Sequence, residues 1–486
     1  MSSETEVRPT VSIASGTLQG TSADGIDRFL GIPYAAAPFG ENRFRSPQPV
    51  EPWLGIRDAS SYGPTAPQAP YGGGLEDLLP TVEVPGDEIL NLNVWTPADR
   101  TSELLPVMVW IHGGSLAHGS NALAAYDGTP FARDGIVYVA ANYRLGAEGF
   151  SVLDGAPLNL GLADQMAALR WVQAEIERFG GDPRRVTVFG QSAGGALTAA
   201  LASHPQAGDV MQQAIVMSGP LSGDTRERTG RITRLMAKDL QIEATRDAFA
   251  AVAPAELVAS MQRVTAGSTP ITGGAGFSIA FDDDLFPRNP IDAVTAGIAG
   301  RIPILIGTTT EEYRLWFLPT GLLSTFTRLH VLVARLKFKI SARAVRLYRR
   351  NRPGASSGEI LGALATDLLL RVPANRLADA RTAAGGRTWM YEFAWRSPVQ
   401  DLGAAHAVEL GFVFDGLAVP DSVSLAGADA PQSLATSMHS AWVTFARDGA
   451  PGWPSWDATR PVRVFDGVAD PLVHAPREDE RQSFRP

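Results

Sequence analysis

The sequence predicts an α/β fold in which helices cover both faces of a mostly parallel sheet. Apolar, β-branched runs of strand length alternate with segments of helical periodicity, and parallel strands need such crossover connections. The chain has 486 residues, of which 45% are hydrophobic and 19% charged, so it can bury a large core. We therefore expect one large domain over residues 1–486.

The individual elements follow from local pattern. The first 60 residues predict short strands and turns, with alternation over residues 11–18, and the Pro- and Gly-rich residues 62–88 predict a long surface loop. Residues 162–179 place apolar side chains at helical spacing, and Gly-Gly-Asp-Pro at 180–183 ends that helix. The predicted buried strands are residues 90–95, 107–111, 136–142, 186–189, 214–218 and 303–307.

Two later segments, residues 220–300 and 313–400, are mainly helical by pattern and contain polar breaks. We expect both to be helical insertions that form a cap over one end of the sheet.

Composition excludes several classes of site. The chain has no cysteine, so disulfides, thiolate nucleophiles and cysteine-ligated metals are ruled out. The formal net charge of −9 argues against nucleic-acid binding, which needs basic surface. The sequence contains no P-loop, dinucleotide fingerprint or zinc-binding HExxH motif, and we predict no cofactor and no metal.

The first 20 residues lack a basic segment followed by an apolar one, so no signal peptide is visible. No run of about 18 apolar residues occurs either, and we predict no integral membrane segment. A soluble, cytoplasmic protein is the expectation, with an oligomeric state that the sequence leaves open.

The strongest chemical signal is a G-x-S-x-G sequence at residues 190–194. A predicted strand ends there and a helix rich in small residues begins. A serine on so sharp a turn exposes its hydroxyl, and the two glycines remove side chains that would collide with neighbouring backbone. The amide groups at the start of the following helix face any negative charge that develops nearby. Ser192 is therefore the candidate nucleophile.

A glycine-rich segment follows the predicted strand 107–111. Acyl transfer from a carbonyl needs preorganised donors for the oxyanion, and these come from such a loop and from the residue after the nucleophile. The candidates are Gly114, Ser115 and Ala193 as amide donors, with Gly113 shaping the loop.

Taken together, the motifs resemble those of the type B carboxylesterases, a family that includes bacterial p-nitrobenzyl esterases and animal cholinesterases. The resemblance implies the α/β-hydrolase fold and cofactor-free hydrolysis of carboxylic esters by a Ser–His–Glu triad through an acyl-enzyme. It covers nearly the whole chain. The matching segments are FLGIPYA at 29–35, LNVW at 92–95, HGG at 112–114, NYRLG at 142–146, NLGLADQ at 159–165, FGGDP at 179–183, GQSAGG at 190–195, HAVEL at 406–410 and WVTFA at 442–446.

The resemblance also implies the two partners of Ser192. The family pattern Gly-Thr-Thr-x-Asp-Glu falls on residues 307–312, which makes Glu312 the acid and Glu311 a solvated neighbour, although a slip of one residue would exchange them. Of the seven histidines, four follow Glu312, and His406 alone matches the family's His-x-x-Glu-Leu pattern. We expect His439, in an apparent helix, to have a surface or packing role.

Further residues are assigned by the same resemblance. Ser218 is expected to support the acid, and Gln191 stands where the family usually has an acidic residue. Two buried ion pairs are implied, Arg43 with Asp87 and Arg144 with Asp164.

The family's loop cysteines are replaced by Ala66 and Ile89, which predicts a loop of higher mobility. That loop offers Tyr71 but no tryptophan, and with Gln191 this predicts weak selectivity for choline esters. Leu116 stands where the family often has an aromatic residue, so acyl-chain preference does not transfer.

The predicted function is hydrolysis of neutral carboxylic esters, with small-molecule esters as partners. Amide or carbamate hydrolysis by the same triad is an alternative, and a non-catalytic adhesion or binding role is a weaker one because all three triad residues are present. Residues 328–352 hold nine basic residues and no acidic one, interleaved with apolar side chains. A solvated cap helix explains this pattern, and weak contact with a membrane surface is the alternative.

Overall fold

The computed structural model describes residues 8–100, 102–266, 274, 276–281 and 284–484. The strands are β1 Thr10–Ile13, β2 Gly16–Gln19, β3 Thr21–Ala23, β4 Ile26–Pro33, β5 Ile56–Asp58, β6 Asn91–Pro97, β7 Leu105–Ile111, β8 Val137–Ala141, β9 Gly181–Gln191, β10 Gln213–Met217, β11 Ile304–Thr309, β12 Thr388–Phe393, β13 Pro461–Phe465 and β14 Leu472–His474.

The α-helices are α1 Thr129–Arg133, α2 Gly146–Phe150, α3 Leu160–Glu175, α4 Ala193–Ala202, α5 Arg226–Leu240, α6 Arg246–Ala250, α7 Pro254–Thr265, α8 Pro290–Thr295, α9 Arg314–Phe317, α10 Leu322–Thr325, α11 Arg328–Lys337, α12 Ala342–Asn351, α13 Ser357–Thr366, α14 Val372–Ala383, α15 Leu410–Val413, α16 Pro420–Ala426, α17 Gln432–Asp448 and α18 Glu478–Gln482. None of these helices is both long and apolar enough to cross a membrane.

The large sheet has the order β14-β13-β12-β11-β10-β9-β7-β8-β6-β4-β3. The strands from β8 to β13 pair in parallel, and the strands at both edges are antiparallel. The prediction of a mostly parallel sheet flanked by helices is confirmed. A small separate sheet holds β1, β2 and β5.

The continuous apolar character of the central strands has a direct structural cause. In β7, Val107, Val109 and Ile111 pack into one core cluster, whereas Met108 and Trp110 pack into another on the opposite face. A strand that is covered on both sides has no solvated face, so its sequence does not alternate.

Several predicted elements differ in extent. Residues 11–18 form two antiparallel strands, β1 and β2, because a turn at 14–15 reverses the chain. The helix predicted over 162–179 is α3 followed by a 3₁₀ turn, and it ends at Gly180, whose φ of 85° few other residues tolerate. Residues 181–183 belong to β9.

The insertion predicted over 313–400 extends too far. Its helices are α9–α14, but Thr388–Phe393 is the sheet strand β12. That strand is buried on both faces, and such runs carry no period that separates them from a buried helix. In the insertion predicted over 220–300, the described residues form α5–α8. The assignment of residues 1–486 to one domain stays a prediction.

Candidate active site

The predicted site residues follow neighbouring parallel strands, whose carboxyl ends lie at one edge of the sheet. Gly113, Gly114 and Ser115 come after β7, Ser192 directly after β9, Ser218 directly after β10, and Glu312 three residues after β11. The sheet therefore brings together side chains that are far apart in sequence.

Ser192 lies at a sharp turn between β9 and α4. Its φ of 59° and ψ of −122° are unusual for a residue with a side chain. The flanking glycines are required, because a Cβ on Gly190 would lie 2.5 Å from the Gly194 carbonyl carbon and one on Gly194 would lie 2.0 Å from the Ile111 oxygen. The amide of Ser192 donates to the Met217 carbonyl at 2.9 Å, which ties the turn to β10.

The glycine-rich loop after β7 and the start of α4 lie beside this turn. Gly113 lies against it, since a Cβ there would come within 3.2 Å of the Ser192 Cβ. Gly114 and Ser115 have φ of 108° and 55°, and neither they nor Gly113 donate a backbone hydrogen bond to another group in the described residues. Ala193 begins α4, so its N–H has no acceptor within the helix. Within the described part of the chain, these amide groups therefore have no backbone acceptor.

His406 and Glu312 are buried and hydrogen-bonded to each other. Glu312 Oε2 lies 2.5 Å from His406 Nδ1, and Glu312 Oε1 accepts from the Ser218 hydroxyl at 2.7 Å and from the Thr309 amide at 2.8 Å. A carboxylate at Nδ1 places the ring proton on that nitrogen and leaves the Nε2 lone pair free to accept a proton. The carboxylate itself is fixed by two donors.

His406 Nε2 lies 3.1 Å from the side-chain nitrogen of Gln191. Because Nδ1 carries the proton, Gln191 is the donor in this contact. No hydrogen bond of the Ser192 hydroxyl occurs within the described ranges, and the Gln191 amide is the contact that they show at His406 Nε2.

Glu409 is a site residue to which sequence reasoning gave no role. Its carboxyl group is fully buried, and neither oxygen has a hydrogen-bond partner with acceptable geometry in the described part of the chain. Burial, together with the nearby charge of Glu312, raises the pKa of Glu409 to about 8. Its place three residues after His406 in HAVEL was the available signal.

Glu311 is a structural residue, although not the solvated neighbour that was expected. It pairs with Arg396 and lies 3.7 Å from Arg314, and its carboxylate accepts from the Ala404 amide at 3.0 Å. The two adjacent glutamates therefore point to different partners, and Glu312 is the one that reaches His406.

A pocket with a volume of about 810 Å³, including its open mouth, lies over Ser192 and His406. Trp316 forms part of its wall and contacts the His406 ring with a centroid distance of 4.7 Å. Trp316 lies in α9. The sequence pattern assigned this segment to the helical cap but gave Trp316 no role in the site. The remaining lining is mostly apolar and includes Tyr71, Leu79, Tyr126, Leu315, Leu410 and Leu425.

The loop over residues 62–88 supplies one side of this pocket through Tyr71 and Leu79. Tyr71 stacks on His118 with a centroid distance of 4.3 Å, and Gln68 exchanges two hydrogen bonds with Gly119. Ala66 and Ile89, at the positions of the family cysteines, are both buried in one apolar cluster. The higher mobility expected for this loop stays a prediction.

Of the two ion pairs that the resemblance implied, one is present, and the prediction of the other is wrong. Arg144 and Asp164 are almost fully buried and lie 2.6 Å apart. Arg43 pairs with Glu148 of α2 at 2.5 Å and donates to the Ala250 and Val252 carbonyls. Asp87 is exposed to solvent, where it needs no cation.

Two other histidines have packing roles. His112 stacks on Tyr143 with its Nδ1 at 2.8 Å from the Gly113 oxygen, and burial lowers its pKa to about 4, so it stays neutral beside the glycine loop. His439 is buried against Phe131 and bonds the Val413 carbonyl at 2.8 Å. In the described ranges, no cluster of three or more histidine or acidic side chains is arranged to hold a metal ion.

Comparison with known proteins decides the family. A model of the "Carboxylesterase family" matches residues 7–463. The chain belongs to the carboxylesterase family. Its fold is that of an α/β-hydrolase, and its activity is that of a carboxylic-ester hydrolase.

Relatives match along nearly the full chain. A para-nitrobenzyl esterase of Bacillus subtilis is 35% identical over 97% of each chain. A phenmedipham hydrolase of Pseudarthrobacter oxydans is 35% identical over 95% of each chain, and a fumonisin B1 esterase of Sphingopyxis macrogoltabida is 32% identical over 93% of this chain and 85% of its own. The crystal structure of Geobacillus stearothermophilus carboxylesterase EST55 at pH 6.2 has a TM-score of 0.88, with 32% identity over 98% of this chain and 100% of that one.

Proposed function

We propose that this carboxylesterase hydrolyses neutral carboxylic esters with Ser192 as nucleophile, His406 as general base and acid, and Glu312 as the acid that orients the histidine. The observation that supports this most strongly is the 2.5 Å contact of the buried Glu312 with His406, which lines the same pocket as Ser192. A buried carboxylate at Nδ1 favours the tautomer that can take a proton at Nε2 and stabilises the imidazolium that results.

The first chemical step forms the acyl-enzyme. The Ser192 oxygen attacks the ester carbonyl carbon while its proton passes to His406 Nε2, and the carbonyl oxygen becomes an oxyanion. The alcohol then leaves with the proton from His406, and the acyl group stays on Ser192. A water molecule, deprotonated by the same nitrogen, repeats the attack and releases the acid.

Before this step the Ser192 hydroxyl has to replace the Gln191 amide at His406 Nε2, because one lone pair accepts one proton. Contacts of this kind often tighten only when substrate is bound. Gln191 therefore acts as a positioning residue for the resting histidine in this proposal.

The amides of Gly114, Ser115 and Ala193 serve as the oxyanion hole, with Gly113 providing space beside Ser192. Two observations support this assignment. The amides of Gly114 and Ser115 donate to no backbone carbonyl among the described residues, and Ala193 is the first residue of a helix. Preorganised donors of this kind are worth about 10²–10³ in rate each.

The pocket lining favours neutral substrates. Among the described residues that line it, Asp421 is the one aspartate, glutamate, arginine or lysine, and its carboxylate already accepts from the Ala125 amide at 3.0 Å. Weak selectivity for choline esters stays a prediction, as do amide and carbamate hydrolysis.

The test is a panel of p-nitrophenyl esters of increasing acyl length. It also includes the compounds for which relatives are named, namely a p-nitrobenzyl ester, phenmedipham and fumonisin B1. The native enzyme is expected to turn over the neutral esters, and Ser192→Ala is expected to lower kcat/KM by about 10⁴-fold or more. Ser433→Ala, an exposed serine of α17, is the matched control and should retain full activity. Activity of Ser192→Ala equal to that of Ser433→Ala would contradict the proposal.

A further inference from the structure

The cap helix α11 exposes an unusual concentration of apolar surface. Five of the nine most exposed large apolar side chains in the described residues lie within residues 329–338. They are Leu329 at 65% exposure, Leu332 at 43%, Val333 at 55%, Leu336 at 64% and Phe338 at 39%. Scattered exposed apolar residues are normal, but a contiguous group marks an interaction surface.

The four residues within α11 form one stripe. Leu329, Leu332, Val333 and Leu336 stand at positions i, i+3, i+4 and i+7, which share a single helix face. Val331, on the opposite side, is buried at 3% exposure in a cluster with Ala344 of α12 and Ala363 of α13. The helix is thus attached by its less apolar side and turns its leucines to solvent.

Cations are concentrated around this stripe in the sequence. Residues 328–352 contain nine arginines and lysines and no acidic residue, in a chain whose net charge is −9. On α12 the residues Ala344, Val345 and Tyr348 face the same buried cluster as Val331, which leaves Arg343, Arg346 and Arg350 on the outer side. Ion-pair partners within the described chain are recorded only for Arg350, at 3.7 Å from Asp479, and for Arg352, with Glu480.

We propose that the outer faces of α11 and α12, together with Phe338, form a docking surface for an anionic lipid bilayer. An amphipathic helix lying in the interface buries its apolar stripe among acyl chains while its cations meet lipid phosphates. Exposed leucines match the acyl chains, and the exposed arginines of α12, of which Arg343 and Arg346 make no ion pair among the described residues, match the phosphates.

Two other occupants fit less well. A second copy of this chain meeting the same face would oppose two sets of cations, and like charges across an interface are unfavourable. A nucleic acid would satisfy the cations, but its phosphate backbone gives the leucine stripe nothing apolar to contact. Charge and apolar exposure together favour lipid.

The experiment is flotation of the full chain with vesicles of phosphatidylcholine alone and of equal parts phosphatidylcholine and phosphatidylglycerol. We expect binding at least tenfold stronger to the anionic vesicles at low ionic strength, and most of it lost in about 0.5 M NaCl, where the Debye length is only a few ångströms. Two variants separate the contributions, L329S/V333S/L336S for the stripe and R343Q/R346Q/R350Q for the cations. Each should lower binding at least tenfold.

Matched controls use exposed residues elsewhere. L54S/V468S removes the two most exposed apolar side chains outside this face, and R226Q/R228Q/R231Q removes three arginines from the exposed side of α5. Both should bind vesicles as the native chain does. All four variants should hydrolyse a water-soluble p-nitrophenyl ester at the native rate, which separates failure of this proposal from failure of the catalytic one.

Three outcomes would overturn the proposal. One is equal binding to neutral and anionic vesicles, and another is vesicle binding unaffected by both test variants. The third is sedimentation velocity that shows a dimer of the native chain which L329S/V333S/L336S abolishes, in the absence of any vesicle binding.

Discussion

Charged groups at the carboxyl edge of the sheet are buried and hydrogen-bonded, whereas those on the outer face of α11 and α12 are exposed to solvent. At the edge, Glu312 is buried and receives hydrogen bonds from Ser218 and Thr309 as well as contacting His406. On α12, Arg343 and Arg346 are exposed, and no ion pair of either is recorded in the described residues. Buried polar groups need partners because desolvation is costly, whereas exposed ones are satisfied by water.

This difference indicates how substitutions should behave in the two regions. Removing one member of a buried polar network leaves its partners unsatisfied, so large losses are expected. Removing an exposed group changes what the surface binds and leaves folding and catalysis almost unaffected.

The largest expected effect is a difference in kcat/KM between substitutions of two adjacent glutamates, Glu312 and Glu311. Glu312→Gln puts an amide at His406 Nδ1 and favours the wrong tautomer, so kcat/KM for a p-nitrophenyl ester should fall by about 10³–10⁴-fold. Glu311→Gln is the matched control and should lose tenfold or less, because Glu311 pairs with Arg396 and not with His406. Equal losses in the two variants would show that the assignment of the acid is wrong.

A buried ion pair provides the next contrast. Arg144→Met leaves Asp164 as an uncompensated buried charge and should lower the free energy of unfolding by about 3–5 kcal/mol in urea denaturation. Arg57→Gln, at a pair with Glu88 that is partly exposed, should cost about 1 kcal/mol or less. A similar cost for both would remove the distinction between the two environments.

Glu409 predicts a pH dependence of stability. Its pKa is raised in the folded protein to about 8, so its contribution to stability is fully present below the unfolded pKa of about 4.5 and declines as the pH rises to about 8. The free energy of unfolding of Glu409→Gln, relative to that of the native chain, should therefore increase between these two pH values by on the order of a few kcal/mol. Exposed Glu227→Gln should show no such trend in urea titrations at pH 5 and pH 8, and an equal trend in both variants would contradict the assignment to Glu409.

The smallest effect is expected on the exposed face. L329S/V333S/L336S should change the free energy of unfolding by about 0.5 kcal/mol or less, because the stripe contacts solvent. A loss of several kcal/mol in thermal or urea unfolding would mean that the stripe is packed against the protein and is not a free surface.

Much of the edge region follows from the sequence, because its pattern is local. The run at 107–111, the glycines that follow it and the turn around Ser192 are each readable within about ten residues. Their convergence also follows, since parallel strands share a carboxyl edge.

The parts that sequence did not predict depend on contacts between distant segments. Arg43 was matched with Asp87, but the packing of α2 brings Glu148 to it instead. The position of Trp316 in the pocket wall and the burial of Glu409 also depend on contacts with segments that are distant in sequence. The strand β12 was read as helix because a run buried on both faces has no diagnostic period.

Labelling with a phosphorylating organophosphate, diethyl p-nitrophenyl phosphate, followed by peptide mass spectrometry, tests the assigned nucleophile most directly. We expect one diethylphosphoryl group per chain, located on Ser192, and a rate of labelling that drops sharply in His406→Ala. Rapid labelling at another residue, or labelling of Ser192 at an unchanged rate in His406→Ala, would contradict it.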